Sequence, residues 1–387
     1  MTTGGLFVSK NEAVALRILD EFREGKMSRL VASELLGCSE RSITRKVKKL
    51  RELGVAGIKH GNFQKPSKRL IASSKREQML DLAKRLYYDF NISHCLEMLK
   101  SNHDLSVSYA TFHRWCRVAG IGKRKRRRTS KSRVYRERMA CEGLMLQMDG
   151  SHHQWNGKDE WCLIALIDDA TSEIPAARFF EEETTTGCMA VLRAAIEIHG
   201  VPQMIYTDQA GWAGGSIKRH NFSQFVRACT ELGIRVITTS SAQSKGRIER
   251  VWCTTQDRLI PELRLAGITG MTDANRYIDQ VYLPKYWQVR NTVLPKDSNS
   301  KYRPLKEHEN LDEIFCLKYT RRVNNNQTIS FENRIYSITD RCYGTLAKKD
   351  VTIHQYSNGS LGIFFGHIKL NFELVRPLTR TWYRLGA

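Results

Sequence analysis

The sequence contains no run of about 18 apolar residues, so no membrane-spanning helix is expected. Its first residues, Met1-Thr2-Thr3-Gly4-Gly5-Leu6, lack a basic stretch followed by an apolar one, and no signal peptide is expected. Cysteine is present without a pattern. Ten cysteines are scattered from Cys38 to Cys342 with no CxxC pair, which argues against a zinc ribbon and a disulfide scaffold and points to a reducing cytoplasm. Acidic charge is scarce, and most of the imbalance lies at one end. The net charge is +22; residues 1–140 hold 32 Lys and Arg against 13 Asp and Glu, a net of +19, which leaves +3 for the rest. A basic N-terminal third is the electrostatic footprint of a nucleic-acid binder.

A chain of 387 residues has room for two to four domains. The first, residues 1–60, is expected to be helical. Ala13, Val14, Leu16, Ile18, Leu19 and Phe22 form an apolar stripe at helical spacing. A short helix ending at Leu36, a turn at Gly37 and an N-cap at Ser39 predict a helix-turn-helix. Its second helix would turn Ile43 and Val47 inward and present Arg41, Ser42, Arg45, Lys46 and Lys49 to DNA. A plain helical hairpin is the alternative; the basic outer face favours DNA binding.

Residues 61–74 form a linker, and 75–122 a second helical unit of helix-turn-helix type. Ser108 is placed to cap a helix that ends at Gly120. On that helix Trp115 is expected in the core, and Arg114 and Arg117 toward DNA. Lys123, Arg124, Lys125, Arg126, Arg127 and Arg128 then open a basic linker, 123–140, suited to tracking phosphates.

Residues 141–290 alternate apolar runs with amphipathic helices. Strands are expected at 144–149, 161–168, 174–180, 204–207 and 234–238, and helices at 184–199, 221–232, 245–266 and 272–290. That order predicts a mixed sheet covered by helices. Residues 291–310, with Pro295 and Pro304, look like another linker. Residues 311–387 show short strand-like runs at 327–331, 334–338, 351–354 and 361–365, for which a small β-barrel is the natural closure.

Three carboxylates carry the chemistry. Asp149 ends the apolar run 144–148, Asp208 ends 204–207, and Glu249 opens a helical stretch. On a basic chain they suggest a phosphoryl-transfer site, because hard cations such as Mg²⁺ take oxygen ligands and two of them can hold the attacking and leaving oxygens of an in-line displacement. One aspartate closing a strand is as readily a turn former. Two, with a matching glutamate, favour the metal site. Asp168 and Asp169 are taken as turn residues. His152 and His153 could ligate metal, but Mg²⁺ prefers oxygen, so DNA contact or packing suits them better. Lys245 and Arg247, within a helical turn of Glu249, are candidates for holding phosphates. The glycines of 211–216 suggest a mobile loop over the site, with Trp212 as a stacking wedge.

Four segments together resemble the ISNCY-type insertion-sequence transposases, whose catalytic domain is similar to that of retroviral integrases. They are Gln147-Met148-Asp149-Gly150-Ser151-His152-His153-Gln154-Trp155, Leu166-Ile167-Asp168-Asp169-Ala170-Thr171-Ser172, Tyr206-Thr207-Asp208 and Ser241-Ala242-Gln243-Ser244-Lys245-Gly246-Arg247-Ile248-Glu249-Arg250. The resemblance spans nearly the whole chain. It implies a multidomain protein: all-α helix-turn-helix modules, a central α/β RNase H-like mixed sheet over 141–290, and a C-terminal small β-barrel over 311–387. It also implies a DDE triad of Asp149, Asp208 and Glu249. Asp208 follows Asp149 by 59 residues and Glu249 follows Asp208 by 41, leaving no room for an inserted domain.

The implied function is a DNA transposase that binds insertion-sequence ends, cleaves 3′ ends and transfers the strand into target DNA, with two Mg²⁺ or Mn²⁺ ions per site. Asp149 would bridge both ions, Asp208 hold one and Glu249 the other. Transposon ends and target DNA are the implied partners, and a homo-oligomer on DNA the implied assembly, in a prokaryotic cytoplasm at the nucleoid. Two alternatives remain: an inactive, transposase-derived DNA-binding regulator, and an RNase H-type nuclease without strand transfer. The intact triad argues against the first, and the helix-turn-helix patterns against the second.

Overall fold

The computed structural model describes residues 9–60, 62–63, 71–122, 137–208, 224–239, 246–340 and 344–377. The chain divides into two compact units, 1–78 and 79–387.

In the first unit, α1 (Lys10–Arg23), α2 (Arg29–Leu35) and α3 (Glu40–Leu53) bury Ile18, Leu19, Ala32, Ile43, Val47 and Leu50 against one another. Gly37, at φ +56, turns the chain between α2 and α3. Ser39 occupies the N-cap position of α3, but its hydroxyl meets Ser42 Oγ at 3.0 Å rather than a backbone N–H. Arg41, Arg45 and Lys49 are exposed on α3, and Ser42 and Lys46 are half-buried.

Helix α4 (Ser73–Arg85) leads into the second unit, followed by α5 (Ile92–His103) and α6 (Tyr109–Val118). Asn91 caps α5 by accepting from His94 N at 2.8 Å. Ser108 caps α6 as expected, accepting from Thr111 N at 3.3 Å. Met79, Tyr87, Phe90, Leu99 and Phe112 form the core of this helical part, with Trp115 packed against it. Arg114 and Arg117 are exposed. Lys123 to Arg128 lie outside the described residues.

The central part is a mixed five-stranded sheet in the order β3-β2-β1-β4-β5. Its strands are β1 (Leu146–His153), β2 (Trp161–Asp168), β3 (Ala176–Phe180), β4 (Met204–Asp208) and β5 (Arg235–Thr239). β1, β2 and β3 pair antiparallel; β4 runs parallel to β1, and β5 parallel to β4. Every residue of β2 is buried because both faces are covered. Even-numbered residues Cys162, Ile164 and Leu166 face α7 (Thr185–His199) and α8 (Gln224–Glu231). Odd-numbered Leu163, Ala165 and Ile167 face α9 (Gly246–Leu265), α10 (Met271–Tyr277) and a wide-turned helical segment, Ile278–Trp287. The single helix expected over 272–290 runs through without a gap, but its middle is wound in wide turns. Pro284, which cannot donate a backbone hydrogen bond, sits inside the wide turns, and α11 (Gln288–Arg290) follows.

The segment 291–310 runs back along this part and is tied to it. Val293 N donates to Thr171 O at 2.8 Å, Lys301 N to Glu142 O at 2.9 Å, and Arg303 bridges Val201. A short helix, α12 (Leu311–Ile314), then inserts Leu311 and Ile314 into the core on the α7 face.

Among the described residues seven strands follow: β6 (Leu317–Arg322), β7 (Thr328–Phe331), β8 (Arg334–Ile338), β9 (Asp350–Gln355), β10 (Leu361–Phe365), β11 (Ile368–Leu370) and β12 (Phe372–Pro377). Among the described residues they do not form the expected closed barrel. They make two sheets, β11-β10-β9-β6 and β12-β8-β7, over a shared core of Ile329, Tyr336, Ile353 and Ile363. Val323 N to Lys349 O (2.9 Å) extends the β6–β9 ladder and Thr339 N to Asn371 O (2.9 Å) the β8–β12 ladder, each within its own sheet, and among the described residues no ladder joins the two sheets into a ring.

Candidate active site

β1 runs four residues past the predicted end. Asp149 therefore lies inside the strand, opposite Ala165 of β2, and the ladder continues to His153 opposite Trp161. The polar run Gly150-Ser151-His152-His153 conceals this continuation in the sequence. Asp208 closes β4 as expected. The parallel register pairs Leu146 with Ile205 and Gln147 with Tyr206; carried two residues further, it sets Asp149 beside Asp208. Ala165 belongs to the α9-side core, and Ile205 to the α7-side core. Strand alternation thus turns both aspartates to the α9 face.

Helix α9 lies on that face because Ile248, Val251, Trp252, Leu259 and Leu263 bury there. Glu249 occupies its first turn and is exposed. Two side chains on α9 fix it to β1. Trp252 Nε1 donates to Asp149 Oδ2 at 2.9 Å, and one turn on Gln256 Nε2 donates to Ser151 Oγ at 3.1 Å. The helical repeat of four residues matches the two-residue repeat of the strand face. The three acids thus share one face, although among the described residues their oxygens do not all come within 4.8 Å of one another.

Arg247, at the start of α9, is ion-paired with the fully buried Asp169. Asp169 also accepts from Gln147 Nε2 at 2.7 Å and Met139 N at 2.8 Å. Beside it, Asp168 accepts from Gly143 N (2.7 Å), Ala170 N (2.8 Å) and Thr171 N (3.0 Å). Burial pushes the Asp168 carboxyl up, against the opposing pull of these N–H groups. These two residues, expected only to make a turn, anchor three segments: the approach to β1, the end of β2 and the start of α9. Trp252 and Gln256 were not singled out from sequence. Trp252 stands three residues after Glu249, a helical spacing that could have flagged it. His152 and His153 are both exposed. Lys245 and the 211–216 loop with Trp212 lie outside the described residues.

Further along, α9 also holds the α4–α6 part. Arg258 makes a bidentate pair with Glu97 (2.9 and 3.0 Å), and Arg264 another with Asp89 (2.7 and 2.8 Å). His94 Nε2 lies 3.0 Å from Glu262, and Asn91 Nδ2 donates to Asp257 at 2.7 Å.

No protein-family model matches the chain. It is 31% identical over 373 residues to the protein named "Putative transposase y4bF" of Sinorhizobium fredii, covering 93% of this chain and 80% of that one. It is 28% identical over 375 residues to the transposase for insertion sequence IS1202 of Streptococcus pneumoniae, covering 86% and 79%. Among solved structures it is similar to the HTLV-2 integrase catalytic core domain in complex with magnesium, at 20% identity and a TM-score of 0.30 over 38% of this chain and 97% of that one. It is also similar to the simian T-cell lymphotropic virus intasome in complex with PP2A regulatory subunit B56 gamma, at 14% identity and a TM-score of 0.34 over 77% and 100%. The relationship defines an enzyme of the transposase class. The chain belongs to the insertion-sequence transposases.

Proposed function

We propose that this chain binds the ends of an insertion sequence, cleaves their 3′ ends and joins them to target DNA, with Asp149, Asp208 and Glu249 as the catalytic acids. The observation that carries this is the shared row of Asp149 and Asp208 beneath the helix that bears Glu249. The donor set is carboxylate alone, which fits Mg²⁺ or Mn²⁺ rather than a softer ion. Two such ions, held by the three acids, would supply the charge neutralisation that phosphoryl transfer needs at the attacking and leaving oxygens. The chain's own work is positioning. Trp252 holds the Asp149 carboxylate in one orientation, and the Arg247–Asp169 pair sets the first turn of α9 and so the place of Glu249.

DNA docking falls to the basic helices. Arg41, Arg45 and Lys49 are available on α3, with Ser42 and Lys46 beside them, and Arg114 and Arg117 on α6. The basic run 123–128 and Lys245 would track phosphates. Joining two ends calls for a homo-oligomer on DNA. Among the described residues no helix is long and apolar enough to cross a membrane.

The test uses duplex DNA from the ends flanking the gene, with Mg²⁺ or Mn²⁺, and compares the native chain with Glu249→Gln. Metal-dependent nicking and joined products, absent from the variant, are expected. End-specific binding without cleavage under any metal would mark an inactive regulator, and nicking indifferent to end sequence would mark a nuclease.

A further inference from the structure

On the opposite face of β1 from Asp149, three side chains of different chemistry converge. His152 and Cys162 stand directly opposite each other in the antiparallel β1–β2 ladder, so both project to the α7 face. Glu183 comes from the segment just before Thr184, the N-cap of α7. One potential ligand atom from each lies within 4.8 Å of the others. A second observation shows that the place is shaped for this. Gly150, two residues before His152 on the same strand face, has no side chain, and its room is taken by Glu183 and Cys162. A Cβ there would lie 2.8 Å from Glu183 Oε2 and 3.0 Å from Cys162 Sγ.

We propose that His152, Cys162 and Glu183 form a binding site for a borderline divalent cation of the Zn²⁺ or Co²⁺ class, separate from the carboxylate triad. Imidazole, thiolate and carboxylate are the ligands this class takes, whereas Mg²⁺ does not use sulfur. Tetrahedral ligands on such an ion stand roughly 3.3–3.6 Å apart, so closing the site needs about an ångström of side-chain movement. The exposed His152 and the half-buried Glu183 can supply it. Burial, then the nearby Glu183 carboxylate, push the Cys162 thiol up to about 12, so at neutral pH it carries its proton. Cation binding forms a metal–sulfur bond, breaks the S–H bond and releases that proton to solvent. Three protein ligands leave a fourth position for water. Occupancy would staple β1, β2 and the start of α7 together.

The other His-Cys-Glu group, Glu313, Cys316 and His354, has a sufficient explanation without a cation. There Tyr356 donates to Glu313 Oε1 at 2.6 Å and His354 Nδ1 lies against Oε2, a hydrogen-bonded network around a carboxylate.

The test is Co²⁺ titration of the full chain in excess Mg²⁺, followed by absorption. One Co²⁺ per chain with a thiolate-to-cobalt charge-transfer band is expected. His152→Ala and Glu183→Gln, which leave the buried core intact, should each weaken Co²⁺ binding at least tenfold. Glu249→Gln should leave it unchanged, so the result does not depend on the catalytic reading. The proposal is overturned if no charge-transfer band appears, if excess Mg²⁺ abolishes it, or if it survives unaltered in both His152→Ala and Glu183→Gln, which would assign it to another thiol such as the exposed Cys253.

Discussion

The indole N–H of Trp252 donates to Asp149 Oδ2 at 2.9 Å, tying the helix that carries Glu249 to the strand that carries Asp149. Trp252 is itself buried in the core under that helix. One residue therefore joins the packing of the fold to the orientation of a candidate catalytic acid.

Trp252→Phe keeps an aromatic ring in the core and removes the donor. A hydrogen bond to a charged group contributes about 1.5–3 kcal/mol, so strand cleavage should fall roughly 10–100-fold. The chain should still melt cooperatively. Single-turnover cleavage at several Mg²⁺ concentrations checks this; an unchanged rate at all of them would remove Trp252 from the site.

Arg247→Ala strands the carboxylate of Asp169, which is fully buried. Breaking a buried pair costs about 3–5 kcal/mol, but Asp169 keeps its bonds from Gln147 and Met139, so about 2–3 kcal/mol is expected. Urea denaturation measures it. Asp169→Asn, which can still accept a hydrogen bond from Arg247, should cost less.

Gly143 sits at φ +72, and a Cβ on it would stand 2.6 Å from the backbone nitrogen of Tyr302. Gly143→Ala adds left-handed backbone strain of about 1–2 kcal/mol and an overlap of about 1–3 kcal/mol. A loss of stability near the sum is expected in thermal or urea unfolding, accompanied by loosening of the 291–310 segment in hydrogen exchange.

Acid should release the α4–α6 part from α9. Burial tends to raise the Glu97 carboxyl, but the bonds and charge of Arg258, with Arg290 beyond, outweigh it and hold the group below its ordinary 4.5. A carboxylate lowered on folding contributes stability that is fully present above the unfolded value and is lost as pH falls through the folded one. Hydrogen exchange in α5, divided by the intrinsic amide rate at each pH, should therefore be flat with pH above 4.5 and rise below it. Glu97→Gln should remove that rise.

Periodic burial was the legible part of the chain. Ile43 and Val47 on α3, the buried run 161–168 and the apolar stripe on α9 all announced themselves by spacing. The strand ends did not, since Gly150 to His153 look like a turn until Trp161 to Ile164 are seen opposite them. Single-residue ties such as Gln147 to Asp169, 22 positions apart, leave no local pattern at all. The C-terminal strands were visible one by one; whether they close depends on pairings between distant segments, which short runs do not encode.

The placement of Leu311 and Ile314 bears on how this enzyme can be cut into pieces. They belong to the core behind the sheet rather than to the C-terminal strands that follow them. A fragment trimmed at residue 290 would retain Asp149, Asp208 and Glu249 while leaving bare the apolar wall those two side chains cover. The smallest self-sufficient piece of the catalytic part therefore carries its own tail through α12, and a shorter one would be expected to aggregate before it could be assayed.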